Sequence, residues 1–184
     1  SRPSAYPGSV REVEVRHTHV SVVFLAGAHA YKIKKPVDLG FLDFSSLEKR
    51  RYFCAEEVRL NRRLAPNVYL GVVPVTRLGE KVAVEGDGDV VEWAVKMERL
   101  PDDATLQSRL RRREIGPDLM ENLARKVADF HAHASADDRI SAFGRFEVVA
   151  RNARENFEQA VRHVGVSVSR KVYDRLHGLT EGAL

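Results

Sequence analysis

The sequence predicts an α+β protein, in which an antiparallel sheet of five or six strands carries one packed helix and is followed by a mostly helical segment. Short apolar runs separated by turn residues occupy residues 10–35 and 69–97. One long segment with a helical repeat, near residues 45–64, lies between them, and helical patterning dominates after residue 116. Strands alternate apolar and polar side chains, whereas helices repeat every three to four residues. The order of patterns therefore indicates strands, helix, strands and then helices.

Three strands are predicted before the first helix. Residues 10–15 alternate apolar and charged side chains, which is typical of a strand with one solvated face. Residues 21–25 form a denser apolar run, which favours a more central strand, and residues 30–34 follow after a short turn. Residues 1–9 are rich in turn-forming residues, and we expect them to lie loosely over the first strand.

The first helix has clear start and stop signals. Ser45 and Glu48 match a capping box, in which the serine oxygen accepts from the amide of Glu48 and the glutamate reaches back to the amide of Ser45. We expect the helix to run to about Leu64, because Pro66 follows closely and cannot continue it. The pattern predicts a single long helix between two groups of strands.

Glu57 is the unusual residue of this helix. The apolar side chains predicted to share its face are Phe53, Leu60 and Leu64. A carboxylate is costly to bury there unless a cation meets it. Lys32 and Lys34 point to one face of the preceding strand, since strand side chains alternate, and either could supply the cation. The alternative is a glutamate at the edge of the apolar face that reaches water.

After the helix the pattern returns to strands. Residues 69–76, 81–84 and 90–97 are apolar runs, with an acidic, glycine-rich turn before the last of them. In the last run, four apolar side chains are predicted to share one face: Val91, Trp93, Val95 and Met97. Residues 98–101 then break the alternation and leave the sheet.

The second half of the chain is predicted to be helical from residue 116, and residues 152–163 continue the helical pattern. His131 falls on an apolar stripe, where we expect a hydrogen-bonded core residue rather than a ligand. The histidine pairs of the chain are too sparse for a zinc site, so no metal site is expected.

Composition and charge exclude several classes of protein. The 184 residues carry 30 Lys and Arg against 26 Asp and Glu, a net charge of 30 − 26 = +4. This small excess suits an anionic ligand such as a nucleotide, and with no nucleic-acid-binding motif visible, no nucleic-acid partner is expected. No apolar run approaches the roughly 20 residues of a membrane-spanning helix, so no membrane partner is expected. The single Cys54 excludes an internal disulfide and fits a cytoplasmic location.

Five stretches of the chain together match a known family. They are T-H-V-S-V-V-F-L at 18–25, Y-K-I-K-K-P at 31–36, G-F-L-D-F at 40–44, E-V-R-L-N-R-R-L-A-P at 57–66 and Y-L-G-V-V-P at 69–74. With them, the chain resembles the bacterial aminoglycoside phosphotransferase-like family of the protein-kinase-like superfamily. More narrowly, it resembles the branch whose long members carry a C-terminal P-loop ATPase domain. The resemblance covers nearly all of the 184 residues.

The resemblance implies a division of the chain and an activity. Residues 1–98 would form a kinase-like N-lobe, and residues 99–184 a hinge and an incomplete helical C-lobe. The complete protein would bind ATP with Mg and transfer a phosphoryl group to a hydroxyl of a small-molecule acceptor, whose identity the sequence leaves open. The residues implied in cofactor binding are Lys34, Lys32, Glu57, Glu98, Leu100, Thr18 and Ser21.

The resemblance also implies a role for the strand lysine and Glu57. One lysine would hold the phosphates, and Glu57 would orient it. The pattern H-A-Y-K fits the V-A-I-K pattern of protein kinases and points to Lys32. Counting back from Pro36, as in phosphotransferase sequences with a basic pair before proline, favours Lys34 instead.

The other implied contacts lie in two loops. Backbone groups from Glu98 to Leu100 would bind the adenine edge. No glycine-rich loop lies between the first two strands, so backbone amides and the hydroxyl of Thr18 or Ser21 would cover the phosphates there.

The motifs for catalysis are not found in this sequence. An H-G-D-like catalytic loop, a metal-binding aspartate and a P-loop are all missing, and the family carries the catalytic loop further along than this sequence reaches. We therefore expect this chain alone not to catalyse phosphoryl transfer. The alternative is a non-catalytic kinase-like binding or dimerisation module, such as a homodimer, that regulates a partner or an adjoining ATPase domain.

Overall fold

The computed structural model describes residues 2–184 and is α+β, as the sequence predicts. Its sheet has six antiparallel strands: β1 Val13–His17, β2 Ser21–Ala26, β3 His29–Lys34, β4 Tyr69–Leu78, β5 Lys81–Val84 and β6 Asp89–Glu98. Its helices are α1 Leu47–Asn61, α2 Leu106–Arg111, α3 Pro117–Ala132, α4 Asp138–Phe143, α5 Phe146–Ala160 and α6 Arg170–Ala183. The chain divides into two compact units, the first ending at Phe130 and the second running from His131 to Leu184. None of the helices described is long and apolar enough to cross a bilayer.

The strand order is β1-β2-β3-β6-β4-β5, so β6 lies between β3 and β4. The first three strands form a meander, and the pairing of Lys32 with Val95 sets the register of β3 against β6. The prediction of an antiparallel sheet with one packed helix is confirmed, because α1 packs on β4 and β6.

The first strand starts later than predicted, at Val13 rather than at residue 10. Strict alternation of apolar and polar residues begins only at Val13, and the preceding Val10 instead packs against an apolar cluster of the sheet. The prediction for residues 1–9 is also wrong for Tyr6, whose ring centroid lies 5.3 Å from that of Tyr31 and 6.4 Å from that of Phe24. Burial raises the pKa of Tyr6 to about 12, with a further contribution from Tyr31.

The two faces of the sheet bury separate apolar clusters. One cluster consists of Ala26, Tyr31, Val75, Val84 and Ala94. The other joins the sheet to α1 and consists of Cys54, Val58 and Val95, with Trp93 and Met97 among the side chains packed against it. The second cluster holds α1 against the sheet, since its buried apolar surface is lost to water if the helix moves away.

Val91 does not share a face with Trp93, Val95 and Met97, contrary to the prediction. The pairing of β4 with β6 shifts between Val75 and Thr76, which face Glu92 and Val90 respectively, so Val91 is the extra residue of a bulge. A bulge reverses the alternation of side chains along its strand. Val91 therefore packs in the cluster around Ala94 instead.

The first helix begins one residue later and ends three residues earlier than predicted. Ser46, not Ser45, is the N-cap, and its side chain accepts from the amide of Lys49 at 3.2 Å. The hydroxyl of Ser45 instead donates to Asp43 at 2.6 Å. The helix ends at Asn61, whose carbonyl accepts from the amides of Leu64 and Ala65 in a closing turn.

In the second half, α5 begins before the predicted residue 152, at Phe146. The prediction of a core histidine is wrong: His131 is exposed, because α3 buries none of its residues. The second unit is held by contacts between α5 and α6. The Tyr173 hydroxyl donates to the Phe157 carbonyl at 3.1 Å, and Arg154 forms an ion pair with Glu181 at 2.9 Å.

Candidate functional site

Glu57 bonds two lysines at once, and we call these three residues the Lys–Glu cluster. One carboxylate oxygen, Oε1, accepts from Lys32 Nζ at 2.9 Å. The other, Oε2, accepts from Lys34 Nζ at 2.7 Å. The ion pair that the sequence suggested between Glu57 and a strand lysine is therefore present, and it engages both candidates rather than one.

Local structure explains why these side chains meet. Lys32 and Lys34 are two residues apart in β3, so both project from the face of the sheet that α1 covers. Glu57 lies next to Val58 and one turn beyond Cys54, the two residues that dock α1 on the sheet. The docking of the helix therefore brings the carboxylate over the strand.

The buried face of α1 is not the one predicted. Its buried residues are Arg50, Cys54 and Val58, which recur every fourth position, whereas Leu60 and Leu64 are exposed. Glu57 accordingly lies at the edge of the buried face, within reach of the two lysines. The side chain of Glu57 is only 13% exposed, so the carboxylate depends on its cations rather than on water.

The cluster carries one net positive charge, since two ammonium groups meet one carboxylate. Burial is the largest influence on Glu57 and opposes its ionisation, but the hydrogen bonds from Lys34 and Lys32 outweigh it and hold the pKa of this carboxyl below its ordinary value. Glu57 is thus ionised at neutral pH. A half-buried excess cation is an electrostatic site for an anion.

The two lysines differ in exposure. The Lys34 side chain is 6% exposed, and its ammonium lies 4.9 Å from the centroid of the buried Phe44 ring. The Lys32 side chain is 30% exposed. Of the two, Lys32 is the lysine that an external group can reach.

Thr18 lies in the turn between β1 and β2, and Ser21 is the first residue of β2. The Thr18 hydroxyl donates to the Ser21 carbonyl and accepts from the Ser21 amide, both at 3.0 Å, so it is engaged within the turn. Ser21 is the cross-strand neighbour of Lys34 and is buried; its hydroxyl has no hydrogen-bond partner among the described residues. Lys35 fastens the turn by donating to the Thr18 carbonyl at 2.6 Å, a contact that sequence reasoning missed.

The segment proposed as a hinge, Glu98 to Leu100, begins with the last residue of β6. The Glu98 amide donates to the Val68 carbonyl at 2.9 Å, and the Arg99 amide donates to the Ala28 carbonyl at 2.8 Å. The Leu100 side chain is exposed. The first two amides of the segment are therefore bonded within the protein, and Glu98 and Leu100 are not brought into contact with the Lys–Glu cluster by any bond described.

Sequence reasoning also missed a second ion pair beside the cluster. Arg50 Nε donates to Glu92 at 2.8 Å, and its Nη1 donates to the carbonyls of Phe44 at 2.9 Å and Ser45 at 3.2 Å. Arg50 therefore ties α1 to β6 and to the loop that places Phe44 over Lys34. Its position four residues before Cys54 was the signal available, because residues at that spacing share a helix face.

Comparison with known proteins finds relatives but no assigned function. The chain is 32% identical over 169 residues to uncharacterized proteins of Mycobacterium tuberculosis and Mycobacterium bovis, an alignment that covers 92% of this chain. The aligned part is 32% of each relative, so the chain spans about a third of the length of the curated relatives it matches. No family model matches the chain, and no solved structure matches it significantly.

Proposed function

We propose that this chain is the ATP-binding half of a small-molecule phosphotransferase with a kinase-like N-lobe. The observation that carries the proposal is the Lys–Glu cluster, where Glu57 is shared by Lys32 and Lys34 and one positive charge is left over. A paired lysine and glutamate on a strand and a packed helix is the arrangement that positions nucleotide phosphates in kinases. The resemblance of the surrounding sequence to the aminoglycoside phosphotransferase-like family supports the same assignment.

In this proposal the residues of the chain bind and orient the nucleotide. Lysine ammonium groups attract the phosphate oxygens, and the attraction is stronger than in bulk water because the cluster is partly buried. Glu57 keeps the ammonium groups fixed, so less conformational freedom is lost when the anion binds. Since the amides of Glu98 and Arg99 are already bonded, the adenine edge would meet the Leu100 amide or carbonyl groups of this segment.

Transfer of the phosphoryl group to an acceptor hydroxyl needs a base and Mg ligands. The sequence of this chain lacks the motifs that supply them. Glu57 does not fit as a Mg ligand, because both of its oxygens are bonded to lysines. We assign the base and the metal ligands to a longer protein, as the relatives are about three times the length of the alignment.

The test is a calorimetric titration of the chain with ATP. We expect Lys32→Met to weaken ATP binding by at least about tenfold, since loss of one phosphate contact of about 1.4 kcal/mol has that effect. Lys81→Met is the matched control, because Lys81 is an exposed lysine of β5, and it should leave the affinity unchanged. Wild-type protein that binds no ATP at millimolar concentration contradicts the proposal.

A second candidate is a non-catalytic dimerisation module. The observation that favours it is α3, which buries none of its residues and exposes Leu119, Met120, Leu123 and Val127. Such an apolar helix face is a surface for self-association. Analytical ultracentrifugation at increasing protein concentration tests this candidate. It requires a dimer of twice the 20.7 kDa chain mass, and the substitution Leu123→Glu should dissociate that dimer.

A further inference from the structure

We propose that Lys34 is a positioning residue, which holds Glu57 and thereby α1 in place whether or not a ligand is bound, and that Lys32 alone is left to contact an anion. The statement about Lys32 rests on the proposed function. The statement about Lys34 does not, because it concerns the protein without ligand.

The Lys34 side chain is almost fully buried, with 6% of it exposed. Its ammonium lies 2.7 Å from Glu57 Oε2 and 4.9 Å from the centroid of the Phe44 ring. Its cross-strand neighbour, Ser21, is 1% exposed. Since so little of the Lys34 side chain is exposed, an anion could reach this ammonium only by displacing Glu57 or Phe44 from it.

Lys32 has different surroundings. Its cross-strand neighbours in the sheet are the apolar Val23 and Val95, which offer no second acceptor. Its ammonium is 2.9 Å from Glu57 Oε1, and its side chain as a whole is 30% exposed. Lys32 can turn towards an anion while Glu57 stays bonded to Lys34, so the carboxylate keeps a cationic partner during this movement.

The consequence concerns the helix. Where a single lysine serves both the carboxylate and the ligand, one cation is shared between them, and the position of the helix can respond to the ligand. Here two lysines divide these tasks between the two oxygens of Glu57. The position of α1 is therefore set by Lys34, Arg50 and the apolar cluster around Cys54, independently of the ligand.

Amide hydrogen exchange of α1, measured on the protein without nucleotide, tests the role of Lys34. We expect Lys34→Met to raise the exchange rates of the amides around Glu57 by about tenfold or more, and Lys32→Met to raise them by less than about threefold. Lys34→Arg retains a cation and should restore slow exchange. Equal effects of Lys32→Met and Lys34→Met, or a larger effect of Lys32→Met, would overturn the proposal.

A double-mutant cycle separates the bond to Glu57 from mere packing of the lysine side chain. In a Glu57→Gln background the carboxylate is gone, so adding Lys34→Met should cause little further change in exchange. An undiminished effect of Lys34→Met in that background overturns the positioning role. If Lys34→Met does not fold, Lys34→Gln replaces it in the same comparisons, because the amide removes the positive charge that holds Glu57 but still places a polar group there.

ATP titration of the same variants tests the role of Lys32. The affinity should fall more in Lys32→Met than in Lys34→Arg, by at least about tenfold. Equal losses contradict the division of tasks between the lysines. Failure of the wild-type protein to bind ATP would contradict the proposed function, while the exchange measurements would still decide the role of Lys34.

Discussion

Two arginine–glutamate pairs in this molecule have nearly the same length and very different surroundings. Arg50 and Glu92 lie 2.8 Å apart, with side chains 10% and 19% exposed. Arg154 and Glu181 lie 2.9 Å apart, with side chains 49% and 36% exposed. Water can compete for the hydrogen bonds of the exposed Arg154–Glu181 pair but hardly for those of the Arg50–Glu92 pair. Removing one partner should therefore lower the unfolding free energy much more in the Arg50–Glu92 pair.

The same contrast separates the two units. In the first unit, the sheet and α1 bury two apolar clusters and the Lys–Glu cluster between strand and helix. In the second unit, α4 and α6 bury no residue and α5 buries only Ala150. Large apolar side chains such as Phe143 and Leu179 remain exposed there. Burial, rather than the number of contacts, should therefore decide where substitutions destabilise the protein.

The largest effect is expected for Arg50→Met. The substitution leaves the largely buried Glu92 carboxylate without its cation and the Phe44 carbonyl without its arginine donor, which should cost about 3 kcal/mol of unfolding free energy. Chemical denaturation measures it. Arg154→Met is the matched control in the second unit and should change stability much less; equal losses would show that exposure does not separate the two pairs.

A smaller effect is expected for Leu25→Ala. Leu25 is buried in β2, and truncation leaves a cavity that should cost about 2–3 kcal/mol. Leu179→Ala removes the same atoms from an exposed position of α6, where we expect a change within about 0.5 kcal/mol. A large loss of stability for Leu179→Ala would mean that the second unit has a core of its own at that helix.

The smallest expected effect is the pH dependence that Glu57 gives to the unfolding free energy. Its pKa is lowered on folding, so the unfolded chain binds its proton more readily than the folded protein does. The stabilisation is therefore fully present above the unfolded pKa and is lost as the pH falls through the folded pKa. Thermal melts of wild type and Glu57→Gln between pH 7 and acid pH measure it. The difference in melting temperature between wild type and Glu57→Gln should shrink as the pH falls. A difference that stays constant with pH would contradict the ion pairs of Glu57.

Much of the site could be anticipated from single residues. Lys32 and Lys34 had to share a face because strand side chains alternate, and Glu57 needed a cation because it lies beside the apolar side of a helix. That both lysines bond it could not be anticipated. The choice depends on where α1 lies along the sheet, which the Cys54–Val95 contact and the Arg50–Glu92 pair determine.

Sequence by itself determined the succession of strands along the chain, the single helix between them and the candidate residues for the Lys–Glu pair, because these follow from local periodicity and spacing. Only the tertiary structure decided that Val91 leaves its predicted face at a bulge, that Ser46 rather than Ser45 caps α1, and that His131 is exposed. The face on which Val91 lies, the identity of the cap and the exposure of His131 each depend on which residues lie next to them in the folded protein. The register of β4 against β6 and the burial of α3 depend on contacts between residues distant in the chain. The cap of α1 depends on a competing local bond, in which the Ser45 hydroxyl donates to Asp43. Hydrophobic periodicity reports neither kind of contact.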